Sequence, residues 1–170
     1  MTTYIALLRG INVGGSTSFP MAELRKICED AGFKHVRTYI QSGNVLFESE
    51  HSEEQLVDML EQGIQKSKQK HIPVIMRSAE EMVSVLSGNP FPDASPKQLG
   101  VLFLSNPAPK DLFKDMTYEG PEEAVVSRRE VYVHYPDGMG RSKFKFPKMA
   151  EQGTMRNINT VNKLVHLAKS

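Results

Sequence analysis

Apolar positions along the chain change period several times, and each period predicts an element. Residues 4–8, YIALL, are continuously apolar like a central strand, and a polar, Gly-rich loop follows from Arg9 to Ser18. Pro20 suits the first turn of a helix on which Met21, Leu24, Ile27, Cys28 and Ala31 recur at helical spacing, with Gly32 as the stop. Strands at 35–40 and 44–48 are predicted to pair through Gln41-Ser42-Gly43-Asn44, where Gly43 and Asn44 tolerate a positive φ. Ser52 and Gln55 form a capping box for a helix that buries Leu56, Leu60 and Ile64. A basic stretch, Lys66–Lys70, then leads into a strand at 72–76. The order β-α-β-β-α-β is the ferredoxin-like one.

The second half repeats part of this pattern. Ser78 and Glu81 make another capping box, and the helix behind it ends at Gly88-Asn89-Pro90. After a proline-rich connection come a strand at 99–104 and a short helix expected from Pro109. A hairpin of 124–127 and 131–135 then turns at Arg128-Arg129. A turn-rich loop, Pro136–Ser142, precedes a helix expected within 143–152 and ending at Gly153. Asn157 is placed to cap a last helix with Ile158, Val161, Leu164, Val165 and Ala168 along one face. The expected fold is therefore α+β, with two ferredoxin-like (βαββαβ-type) halves in one compact unit and C-terminal helices after the second. The first half spans 1–88, the connection 89–98 and the second half 99–170.

At 170 residues such a chain buries roughly 70% of its unfolded surface, so its core needs neither metal nor disulfide. Cys28 is the one cysteine, and its apolar helical neighbours make it a buried structural residue. Arg9 interrupts the first apolar run too early for an export signal or a membrane span, which points to the cytoplasm and to no membrane partner.

Net charge is only +1, which argues against a protein that coats nucleic acid. Its distribution is uneven. Residues 141–170 hold 7 basic residues against 1 acidic, a net +6, whereas residues 1–140 hold 14 against 19, a net −5. A basic segment on an acidic body suits an anion or a phosphate backbone; lysines facing solvent, or the tail lying over the acidic body, account for the same numbers.

Four polar clusters are candidate anion-binding positions. Arg9, Asn12, Gly14 and Gly15 belong to a loop that nearly matches the phosphate-binding pattern, with Gly10, Gly15 and Thr17 in register. Ser16 stands where the essential lysine is required, which argues against a Walker-type NTPase and leaves a backbone anion nest or glycines that only permit a tight exit from the strand. Gln41, Ser42 and Asn44 present amides and a hydroxyl at a hairpin tip, a composition turns also adopt for conformational reasons. Arg156, Asn157 and Thr160 surround a helix N-terminus, and Arg141 with Ser142 follow a glycine turn. The five histidines lack metal-ligand spacing, no catalytic acid–base pair emerges, and the strand aromatics form no RNA-recognition motif.

The blocks YIALLRGINVGG, MAELR, GF-x-x-VRTYIQSGNV, PVIMRSAEE, NPFP, VYVHYPDGMGRSK and TMRNINTVNKL resemble, in order, the bacterial family called domain of unknown function 1697. The resemblance runs from about Tyr4 to Leu167 and implies a two-lobed α+β fold with ferredoxin-like halves. It supplies no catalytic residue and no cofactor. Ser16 departs from the family, in which many members carry a lysine there.

The leading expectation is a cytoplasmic protein that binds a nucleotide, a phosphorylated metabolite or a nucleic-acid backbone, the nucleic acid being the less supported. One alternative is an enzyme for a phosphorylated or acyl substrate, positioned by Arg9 and Arg156. Another is a structural partner protein, marked by a large exposed apolar patch. No cofactor or metal is expected, and the oligomeric state is open.

Overall fold

A computed structural model of the chain describes residues 1–11, 18–39 and 43–169. The described residues form a mixed α+β structure with two four-stranded antiparallel sheets and four α-helices. It divides into two compact units, Met1–Met82 with Leu164–Ser170, and Val83–Lys163.

In the first unit the elements are β1 (Thr2–Leu8), α1 (Met21–Asp30), β2 (Lys34–Tyr39), β3 (Asn44–Ser49), α2 (Glu53–Lys68) and β4 (Val74–Ser78). The sheet order is β2-β3-β1-β4, and every neighbouring pair is antiparallel. Strand β1 is central, which explains its unbroken apolar run: Ala6 and Leu8 enter the core below α1 and α2, while Ile5 and Leu7 are buried on the other face. Helix α1 ends as Gly32 predicted. Gly32 takes a φ of +90°, its N–H donates to the Glu29 carbonyl, and the Phe33 N–H donates to the Cys28 carbonyl. The Ser52 hydroxyl accepts from the Gln55 amide while the Gln55 side chain accepts from the Ser52 amide, so the capping box forms in both directions.

Local differences have local causes. Pro20 caps α1 from outside its first turn, and its carbonyl accepts from Glu23 and Leu24. The fourth strand begins at Val74, two residues later than the apolar run, because Pro73 brings no donor to the ladder and the Glu61 carboxylate takes the Val74 N–H. Asn44 adopts no positive φ, since it is the first residue of β3; the turn conformation belongs to Gly43, at +91°.

Helix α3 (Ala79–Ser87) opens on the predicted Ser78–Glu81 capping box. The second unit contributes β5 (Leu99–Phe103), β6 (Glu123–Ser127), β7 (Glu130–His134) and β8 (Thr154–Asn157), and α4 (Ile158–Ala168) follows. Its sheet order is β6-β7-β5-β8, again fully antiparallel. In each sheet the first strand lies between the third and the fourth, with the second at an edge. The β6–β7 hairpin turns where expected, with Arg128 at a φ of +53°.

Two expected helices are absent. Residues 109–116 form successive turns, from Leu112 to Pro109, Lys114 to Asp111 and Met116 to Phe113. Leu112, Phe113 and Met116 fit helical spacing, but a stretch of about two turns is too short to sustain an α-helix on that stripe alone. Within 143–152 only a single short turn of 3₁₀-helix forms, Lys148–Ala150. Residues 142–147 before it form no helix, and Phe144 and Phe146 pack against a core cluster with Leu102, Val131, Val133 and Tyr135. The pattern Lys-Phe-Lys-Phe at 143–146 has a period of two, incompatible with a one-sided helix. Among the described residues, α4 is the one α-helix that follows the second sheet.

Candidate functional site

The first-unit candidates divide into an exposed and a buried residue. Arg9 leaves the end of β1 into solvent, and its backbone N–H donates to the Pro73 carbonyl at 3.2 Å. Asn44 is fully buried, with its Nδ2 donating to the Tyr39 carbonyl at 3.0 Å, which ties the base of the hairpin. Asn12, Gly14, Gly15, Gln41 and Ser42 lie outside the described residues.

In the second unit, Asn157, Thr160 and Arg156 meet at the junction of β8 and α4. The Asn157 side-chain oxygen accepts the Thr160 N–H at 2.8 Å and caps the helix as predicted. Arg156 is 8% exposed, its guanidinium donates to the Met155 carbonyl at 3.0 Å, and burial lowers its pKa to about 10. It remains charged at neutral pH, yet it is a packed side chain of the sheet. Thr154, two residues earlier on the same face of β8, is 2% exposed, and its hydroxyl has no hydrogen-bond partner.

Arg141 and Ser142 occupy a different setting. Met139 and Met155 both close over Gly100, so this loop packs on the Met155 side of the sheet, whereas consecutive strand residues put Arg156 on the opposite side. Arg141 is exposed at the end of the turn Met139–Arg141. The Ser142 hydroxyl donates to the Glu122 carboxylate at 2.7 Å and accepts the Phe144 N–H at 3.0 Å. Tyr118 donates from its hydroxyl to the other Glu122 oxygen. That bond, helped to a smaller extent by Ser142, holds the Glu122 carboxyl below the usual range, and the same bond to Glu122 raises the Tyr118 phenol.

The basic tail thereby separates into two kinds of cation. Arg156 is inside. Arg141, Lys143, Lys145 and Lys148 are exposed, and the extended chain between them turns Ser142, Phe144 and Phe146 inward. The aromatic contacts of Phe144 with Tyr118, Phe113, Phe146 and Tyr135 fix that segment against the sheet. The three lysines were not among the residues singled out by motif; the period of two that places them was the signal available.

Among the described residues no helix is long and apolar enough to cross a membrane. A family model matches residues 1–132. The chain belongs to the family described as protein of unknown function, DUF1697. The match ends within β7, so residues 141–148 and α4 of this DUF1697 protein lie beyond it. No curated protein matches the chain. Among solved structures it is similar to that of conserved bacterial protein SP0830 from Streptococcus pneumoniae. That match has 24% identity and a TM-score of 0.82, and covers 100% of this chain and 99% of the other. The likeness is one of fold.

Proposed function

We propose that this DUF1697 protein is a cytoplasmic anion-binding protein, each of whose units is a ferredoxin-like variant, and that the anion lies on the segment 141–148. The carrying observation is the outward row Arg141, Lys143, Lys145 and Lys148, in which the two middle lysines alternate with the inward Phe144 and Phe146 and the outer two cations lie on short 3₁₀ turns. Four like charges held side by side repel one another and lower stability unless a counter-charge is present. Strand order supports the ferredoxin-like reading of both units, although the second unit has turns where the fold's helices would be. On this reading Asn157, Thr160 and Asn44 maintain the backbone, while Arg9 and the glycine loop form a further anion position in the first unit.

The test is a double charge reversal, Lys143→Glu with Lys145→Glu, assayed by calorimetry against ATP, inorganic tripolyphosphate and an oligonucleotide. At least one anion is expected to bind the unaltered protein, and the double variant should lose about tenfold or more in affinity, each surface cation being worth about 1 kcal/mol near an anionic array. Absence of binding to all three, or unchanged affinity in the double variant, overturns the proposal.

A further inference from the structure

Resting on that anion-binding reading, we infer that the segment's ligand is a single-stranded nucleic acid, its phosphates following the basic row and one base stacking on Tyr118. A pocket for a small anion points its donors at one spot. Here they stand in a line instead: Lys143 and Lys145 alternate with the inward Phe144 and Phe146, which puts them roughly 6–7 Å apart at strand spacing, and Arg141 precedes them at the end of the short turn Met139–Arg141. This step is close to that between phosphates of a stretched single strand, and Lys148 continues the row at the start of the short turn Lys148–Ala150.

Charge alone would take any polyanion; the aromatic beside it narrows the choice. Tyr118 is 36% exposed, and its ring meets that of Phe144, the residue between Lys143 and Lys145, edge to face at 5.2 Å. Its hydroxyl is held by Glu122, and Glu122 is held in turn by Ser142 at the start of the row. Gly120 packs against the ring as well, so the ring is fixed in place and only the part left exposed can take a base as a stacking platform. Phe144 and Phe146 pack against the core cluster, so recognition is of backbone and one base, without sequence preference.

The experiment measures fluorescence anisotropy with a labelled oligothymidylate, an abasic strand of equal length and inorganic polyphosphate as competitor. Oligothymidylate should bind about tenfold or more tightly than the abasic strand. Its affinity should fall with salt at a log–log slope of about 3, as expected for four phosphates contacted on a single strand. Tyr118→Ala should bring thymidylate down to the abasic level and leave polyphosphate unchanged, and Tyr118→Phe, which keeps the ring, should retain most of the difference. If all three anions bind equally and Tyr118→Ala changes nothing, anion binding stands and the nucleic-acid assignment falls. Binding of none of them removes both.

Discussion

Cys28 and Gly43 show how far a single residue constrains this chain. The Cys28 thiol is completely buried on α1, and desolvation pushes its pKa up to about 12, so almost no thiolate exists at neutral pH. In a thiol-exchange assay with a chromogenic disulfide, the native protein should react only at the rate of unfolding; fast stoichiometric labelling would contradict the buried assignment. Gly43 is constrained twice. Its φ of +91° disfavours any side chain, and a Cβ there would come within 2.7 Å of Ile11 Cδ1 and 3.0 Å of Leu8 Cβ. Gly43→Ala should cost about 1–3 kcal/mol from strain and overpacking, exceeding the gain of at most ~1 kcal/mol from a stiffer unfolded chain. Urea unfolding decides the sign, and an unchanged or higher midpoint would show that the turn can relax. Of these two constraints, positive φ was legible in the sequence as a Gly-Asn turn. The approach of Ile11 was not, because it depends on where another segment passes.

Elements were legible to the extent that their signals are local. The capping boxes at Ser52 and Ser78 each need only four consecutive residues, and both form. At 109–116 Pro109 suggested a helix start and Leu112, Phe113 and Met116 fit its spacing, yet only short turns form; at 143–152 burial of Phe144 and Phe146, two residues apart, opposed a one-sided helix. The contact between α1 and α2 belongs to neither element alone. Glu23 on α1 receives the Ser67 hydroxyl and the Lys68 ammonium, each at 2.8 Å, while Lys68 lies 4.9 Å from the centre of the Phe19 ring. The Lys68 hydrogen bond, then that of Ser67, lowers the Glu23 pKa below its ordinary value of 4.5. Since the carboxyl ionises more readily in the folded protein, the clamp contributes fully above 4.5 and is lost as pH falls through the lower folded value. Thermal unfolding should therefore show the unaltered protein above Glu23→Gln at pH 7, with the two converging in acid. A gap independent of pH would mean that packing, not charge, holds the helices.

For the molecule as a whole, the sequence-level net charge concealed more than the order of elements did. The excess of the last thirty residues contains one buried arginine, Arg156, and an exposed row at 141–148, a division that depends on strand facing and so required the folded sheet. Chain return was equally invisible to pattern: α4 begins beside β8 in the second unit, yet residues 164–170 belong to the first. One bond makes this testable. The Arg37 guanidinium, on β2, donates to the Leu167 carbonyl in the last turn of α4, where the free carbonyls of a helix end favour a cation. Truncation after Lys163 removes that acceptor together with the buried Leu164 and Val165, a loss of the order of 2–5 kcal/mol by analogy with deletion of core side chains. Hydrogen exchange should then accelerate in β2 and its neighbour β3, whereas the β5–β7 pairing should keep most of its protection. The single variant Arg37→Ala should produce the β2 effect alone, and smaller. If truncation leaves exchange in residues 34–39 unchanged, the C-terminal turn does not stabilise the first sheet. Equal loss of protection in both sheets would show that the two units unfold as one cooperative system.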